Sequence, residues 1–359
     1  MKRLLCILLA VSLCLSLCCC GQGSAPATAP ESTPAPAQPT VPSTEAPTVP
    51  TTQPETYPPQ TLPPETVPIV TEPETVGSTP LLYRVTDAEG HELWLFGSVH
   101  VGIEEMYPLP DYVMDAYHAA DALAVECDVI EAQNDLDAMM DMLMPMIYTD
   151  GTTIKDHISS DLYTAAVKIL KENGSYNFAL DYYKPVLWYS FVESFSYEDY
   201  GYDAESGIDM YLLTDAKATG KPIKEVESVT FQYGLLASFS EELQVLLLEE
   251  AVAGYGSAEG KEALDGLLSA WCKGEEAALL PYLDSEGDTD GYDEAAAQLI
   301  REFNTAMVTD RNIAMARYAA DALASGEKLF ICVGTAHILG DGAMVNLLQQ
   351  QGYTVEQVH

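Results

Sequence analysis

Two apolar runs, far apart in the chain, share one pattern. Leu93-Trp94-Leu95-Phe96-Gly97-Ser98-Val99-His100 and Leu329-Phe330-Ile331-Cys332-Val333-Gly334-Thr335-Ala336-His337 are each a short β-rich run that ends in Gly-x-x-His. A continuous apolar run bounded by glycine reads as a strand buried on both faces, the setting of a central parallel strand. Gly97 and Gly334 let the chain leave the strand sharply and let a ligand approach the backbone. His100 and His337 then lie just past the C-terminal ends of their strands, where open α/β sheets build their sites.

The rest of the pattern fits an α/β fold with a central, mostly parallel sheet and a large helical insertion. Leu82 to Thr86 and Glu92 to Phe96 flank the turn signal Asp87-Ala88-Glu89-Gly90, which predicts a hairpin leading into the first Gly-x-x-His strand. A helix from Asp111 to Ala120 and a strand Ala122-Leu123-Ala124-Val125-Glu126 follow, so that a crossover sets the two strands parallel and brings Glu126 to the same sheet edge as His100. In the middle, Leu136, Met139, Met140, Leu143 and Ile147 keep helical spacing and predict a helix packed on the core. The methionines also admit an adaptable apolar groove. Ser160 caps a helix that ends near Gly174, and Pro185 opens another. Seven tyrosines between Tyr176 and Tyr202 suit either a substrate cleft or a buried interface. Pro222 to Glu227 predicts a short strand ending in an acid. Helices fill residues 228–325, Asp341 caps a further helix that ends at Gly352, and Tyr353 to Val358 closes the sheet.

Composition sets off the first 79 residues. Lys2 and Arg3 precede an apolar run to Cys20, the pattern of a secretory signal, and Leu17-Cys18-Cys19-Cys20-Gly21 has the form of a lipobox with Cys20 as the lipidated residue or Cys18 in its place. Residues 21–79 are rich in Pro, Thr, Glu, Ala and Ser and have no apolar periodicity, which predicts a tether. At about 3.1 Å per residue it reaches roughly 180 Å when extended. The expected location is the extracytoplasmic face of the cell membrane, with contact to the membrane through the lipid anchor alone. A net charge of −39 argues against nucleic acid as a partner. Beyond the leader only Cys127, Cys272 and Cys332 remain, an odd number that argues against a disulfide framework. Residues 80–359 form the folded domain.

The chemistry gathers at four strand ends: His100, Glu126, Glu227 and His337. Two imidazoles and one or two carboxylates are an ordinary ligand set for a divalent first-row ion. His100, His337 and Glu126 are the candidate ligands, Glu126 or Glu227 the candidate base, and Arg311 either an oxyanion or carboxylate grip or the partner of an acidic neighbour. A lone buried histidine is most simply a satisfied core residue; the matched pair points to a site. His91, His118, His157 and His359 have no such setting.

Gly97-x-x-His100, Glu126, Glu205-x-Gly207-x-Asp209, Gly220-Lys221-Pro222, Glu227-x-x-x-x-Gln232, Arg311-Asn312, Gly334-x-x-His337 and Gly352-Tyr353, in that order, resemble the TraB/GumN family, which is related to the Tiki metalloproteases. The resemblance covers about residues 80 to 359. It implies a Tiki/erythromycin-esterase-like fold and an Mn- or Co-dependent peptidase, with Zn a further candidate ion, acting on peptide or small-molecule substrates. It places His100, Glu126, Arg311 and His337 in the site, with Glu205, Asp209 and Glu227 in support. Two other readings compete: a protein that sequesters a peptide signal or a haem-like ligand without turnover, and a surface interaction domain with a relic site.

Overall fold

The computed structural model describes residues 77–283 and 289–358. The expected leader, Cys20 as the expected lipid site and the expected tether as far as residue 76 lie outside the described residues. The folded domain begins slightly before the expected position 80. Ser78 is buried, its hydroxyl donating to the carbonyl of Met106 at 2.9 Å, and Thr79 is bonded to Cys272 and Lys273.

Six strands form one sheet: β1 (Leu82–Thr86), β2 (Glu92–Ser98), β3 (Ala122–Val125), β4 (Ile223–Glu225), β5 (Leu329–Gly334) and β6 (Thr354–Gln357). Their spatial order is β4-β3-β5-β2-β1-β6. The β4, β3, β5 and β2 strands run parallel, and β1 pairs antiparallel with both β2 and β6. The expected hairpin and the parallel setting of β2 and β3 are therefore present, but those two strands are not neighbours. The late strand β5 lies between them, with Ser98 opposite Gly334 and Val125 opposite Cys332. Every residue of β5 is buried, as is all of β2 beyond Glu92, which is why both read as unbroken apolar runs. Burying one such side chain contributes roughly 1.5–3 kcal/mol.

The helices fall into three groups. After α1 (Asp111–Ala119), which links β2 to β3, come α2 (Val129–Asn134), α3 (Leu136–Leu143), α4 (Ser160–Glu172), α5 (Pro185–Tyr200) and α6 (Ile208–Thr219), all before β4. Between β4 and β5 stand α7 (Val229–Ser238), α8 (Glu241–Gly254), α9 (Ala258–Lys273), α10 (Glu276–Leu279), α11 (Glu294–Asn304) and α12 (Asp310–Ala324). Short helices α13 (Thr335–Ile338) and α14 (Met344–Gln350) lead to β6. Among the described residues no helix is long and apolar enough to cross a membrane.

Three local expectations are corrected. The helix at Leu136 does not lay its apolar stripe on the core: Leu136 is 73% exposed and Met140 49%, while Met142 and Met146 are the buried residues. The cap of α4 is Ser159, whose hydroxyl accepts from the amide of Leu162, because the adjacent serine stands one residue earlier. Asp341 caps nothing; Gly340 and Gly342, both at positive φ, fold it into a turn and α14 starts after Ala343. The tyrosines mostly enter the core, with Tyr189, Tyr197, Tyr200 and Tyr202 buried. Cys127, Cys272 and Cys332 are free thiols, and Cys332 is fully buried in β5.

Candidate active site at the sheet edge

The parallel strands deliver their C-terminal ends to one edge, and β5 in the middle makes the convergence possible. Glu126 is one residue past β3, His100 two past β2, and His337 three past β5. Ladder bonds continue beyond β4, with the amides of Val226 and Glu227 donating to the carbonyls of Val125 and Glu126, so Glu227 comes to stand beside Glu126.

The four groups named at strand ends are brought together. Oε1 of Glu126 accepts the Gly334 amide at 2.7 Å and lies 3.8 Å from Nε2 of His337. A Cβ built on Gly334 would stand 3.3 Å from Glu126 Oε1, 3.6 Å from His337 Cδ2 and 3.7 Å from His100 Nε2. Glycine therefore keeps open the small space that the two imidazoles and the carboxylate border. All three side chains are buried, at 1–5% exposure.

Each imidazole is oriented through its other nitrogen. His100 Nδ1 donates to Oδ2 of Asp209 at 2.7 Å, and His337 Nδ1 donates to Oδ1 of Asn312 at the same distance. A carboxylate and an amide oxygen accept only, so Nδ1 carries a proton in both rings, and in a neutral ring Nε2 is left with the lone pair. Asp209 comes from the first turn of α6. Its approach depends on Gly207, whose added Cβ would fall 2.6 Å from the carbonyl oxygen of His100. The end of β2 is tied down by Trp271 Nε1, which donates to the carbonyl of Gly97 at 2.8 Å, and by Thr335 Oγ1, which donates to that of Ser98.

Arg311 answers the question left open for it. The guanidinium, 2% exposed, donates to both oxygens of Glu227, to Oε2 of Glu126 and to the carbonyl of Met307. It is the counter-charge of two buried glutamates, not a group held ready for substrate. A π-helical turn at Thr305–Thr309 directly precedes α12 and presents the Met307 carbonyl. Gln232, on the first turns of α7, donates to Oε2 of both Glu126 and Glu227 at 2.9 Å. Burial works to raise the pKa of Glu126, but Arg311, the two imidazoles and the Gly334 amide hold it down to about 2. Burial, with Arg311 nearby, pushes His337 down to about 3. The 3.8 Å approach of His337 to Glu126 is thus a neutral imidazole beside a carboxylate rather than an ion pair.

Gln232 and Asn312 carry roles that sequence reasoning did not assign. Asn312 had a signal: it stands in line with the buried Met315, Ala316 and Ala319 of α12, and a polar residue within an apolar stripe has a buried partner. Glu205, by contrast, is exposed and the fold does not bring it to the cluster. Its segment acts through the backbone, where Asp203 accepts from the Gly102 amide and Val99 from that of Ile208.

A divalent ion fits the donor chemistry of two Nε2 lone pairs and one ionised carboxylate oxygen around the space kept open by Gly334. The spacing is wide. Among the described residues, three ligand atoms within 4.8 Å of one another occur only at Asp87, Glu89 and His91. That group lies in the β1–β2 turn, at the other end of β2 from His100, and Asp87 already accepts from His91.

Comparisons with known proteins place the chain in a family. The chain is 24% identical over 258 residues to the uncharacterized protein YbaP of Escherichia coli K12, covering 71% of this chain and 87% of that one. The Shigella flexneri protein of the same name matches equally. Metalloprotease TIKI2 of Danio rerio is 22% identical over 313 residues, 73% of this chain but only 58% of that protein. No solved structure matches. The model of the TraB/PrgY/gumN family matches residues 81–357, most of the chain and all six strands, and the protein belongs to that family.

Proposed function

We propose that the domain is a metal-dependent hydrolase that cuts peptides. The observation that carries this reading is the meeting of His100, His337 and Glu126 around the space left by Gly334. Similarity to a protein named a metalloprotease supports it. Nε2 of each histidine and Oε1 of Glu126 would hold the ion. When bound, a divalent ion supplies Lewis acidity and acidifies water from about 16 towards 7. Glu126, held near 2, is a weak base and a persistent anion, which suits it to holding a cation rather than to taking a proton. His337, kept neutral, offers its lone pair across the physiological range. Asp209 and Asn312 fix both rings, and Arg311 with Gln232 fixes the glutamates.

The test is cleavage of unstructured peptides with added Mn²⁺, Co²⁺ or Zn²⁺, together with elemental analysis of the purified protein. His100→Ala and His337→Ala should each abolish cleavage and lower the bound metal. A wild-type protein that binds no divalent ion at micromolar concentration would remove the basis of the reading. One observation favours a second reading, a peptide-binding protein without turnover: the site side chains are only 1–7% exposed. Intact peptide recovered after long incubation with metal would select it. We further propose that Cys20 carries lipid and holds the domain outside the membrane, supported by the sequence pattern before the tether. Cys20→Ser should release the protein from the membrane fraction, and continued retention would argue against the anchor.

A further inference from the structure

The helix that sequence pattern assigns to the core instead shows an apolar edge to solvent. Leu136, Met140 and Met144 stand at i, i+4 and i+8, and they are 73%, 49% and 49% exposed. Phe231 of α7, which packs against α3, is 49% exposed as well. The neighbouring segment extends this surface: Tyr182, itself half-exposed, accepts the Tyr148 amide, and Lys184 donates to Met146. Exposed apolar side chains gathered in this way mark an interaction surface. Methionine is the side chain best able to adapt to varied apolar partners.

Charge decides the occupant. Asp137 and Asp141 each follow an apolar position, about 100° round the helix, and so border the stripe with carboxylates. Lys217 is committed to Asp128 and Glu131, and Lys184 of the neighbouring segment is one positive charge against the two negative ones of Asp137 and Asp141. With 55 acidic residues to 16 basic ones, the chain repels anionic lipid and a second copy of this same acid-edged face. The complementary partner is apolar on one side and basic at its borders. The face also leads to the site: Phe231 is next in the chain to Gln232, which bonds Glu126 and Glu227.

We propose that the α3 edge and Phe231 dock a cationic amphipathic segment of a peptide and so present the adjoining residues to the strand-end site. The presentation step rests on the hydrolase reading; docking itself is independent of turnover and is measured without it.

The experiment is fluorescence anisotropy on the full chain with chelator present, using a labelled amphipathic Lys/Leu peptide and its counterpart with Glu in place of every Lys. Vesicles of phosphatidylcholine with phosphatidylglycerol serve as the lipid probe. The basic peptide should bind and the acidic one at least about thirtyfold more weakly, while any vesicle binding should come from the Cys20 anchor and be the same in the Leu136/Met140 variant. Leu136→Ser with Met140→Ser should weaken binding roughly tenfold, a change of about 1.4 kcal/mol. Asp137→Asn with Asp141→Asn should weaken it several-fold and flatten its salt dependence. Both pairs are exposed, so circular dichroism should show unchanged folding. Equal affinity for the two peptides, undiminished binding by the Leu136/Met140 variant, or vesicle binding that this variant loses would each overturn the proposal. Docking without any His-dependent cleavage defeats the hydrolase reading alone; His-dependent cleavage without docking defeats this one alone.

Discussion

The amide of Gly334 donates to Oε1 of Glu126 at 2.7 Å, although the two residues are 208 apart in sequence. The strand that leads to one imidazole thus also holds the carboxylate that faces it. The same glycine keeps the space between them clear.

Gly334→Ala tests that space. The backbone there, φ −50° and ψ 140°, is ordinary for alanine, so the fold should tolerate the change. The new methyl would stand 3.3 Å from Glu126 and within 3.7 Å of both imidazoles. We expect a melting temperature within a few degrees of wild type and metal affinity lowered by at least about tenfold. Titration calorimetry with Mn²⁺ and Zn²⁺ reads the second quantity. Unchanged affinity would place the ion elsewhere.

Asp209→Asn tests the orientation of His100. An asparagine can present its NH₂ to Nδ1 and move the imidazole proton to Nε2, where it would block a metal bond. The expected loss in metal affinity is roughly 10–100-fold. Asn312→Asp should do the reverse at His337, keeping Nδ1 protonated and leaving affinity equal or higher. Isothermal titration of both variants, side by side, separates this effect from general loss of structure.

The legible part of this molecule is what local pattern dictates. Leu93 to Phe96 and Leu329 to Val333 are strands because unbroken apolar runs of that length fit a doubly covered sheet, and the glycines after them mark the exits. From this the meeting of His100 and His337 follows. The position of β5 between β2 and β3 does not, because local pattern marks a strand without saying which strands it pairs with. Nor was the exposure of Leu136 and Met140 readable, since helical spacing says that one face is apolar but not what covers it. Arg311 could be read only as a pair of alternatives. Its two partners come from β3 and β4, and only the tertiary register beyond those strands sets Glu126 beside Glu227.

Arg311→Met tests the counter-charge. Removing the guanidinium leaves two buried carboxylates side by side, at a cost of about 3–5 kcal/mol. The sign with pH is fixed by Glu126. Its pKa in the fold is near 2 against an ordinary 4.5, so the stability it contributes is present above pH 4.5 and is lost as pH falls towards 2. In the variant, burial acts on Glu126 without that opposing charge, and the folded state takes up a proton instead. Urea unfolding should therefore show the largest difference from wild type at pH 7 and a much smaller one near pH 4. Adding Glu126→Gln and Glu227→Gln to Arg311→Met should restore most of the loss. A constant difference at both pH values would mean that packing, not charge, is what the arginine supplies.

Glu193 lies outside the site and carries the opposite sign. It is buried on α5, where Tyr197 donates to its Oε2 at 3.2 Å, and burial raises its pKa from 4.5 to about 7. Between those values the folded state holds a proton that the unfolded chain has released, so the fold binds more protons and loses stability as pH rises. The loss begins near pH 4.5 and is complete slightly above 7, on the order of 3–4 kcal/mol for a shift of that size. Glu193→Gln keeps an acceptor for Tyr197 and cannot ionise. The variant should match wild type at pH 4 and exceed it by roughly that amount at pH 8, measured by urea unfolding at each pH. Metal affinity and peptide cleavage should be unchanged, which separates this residue from Glu126 and Glu227. Equal stability of the two proteins at pH 8 would show that the Glu193 carboxyl finds compensation on ionising, and its elevated pKa would then be wrong.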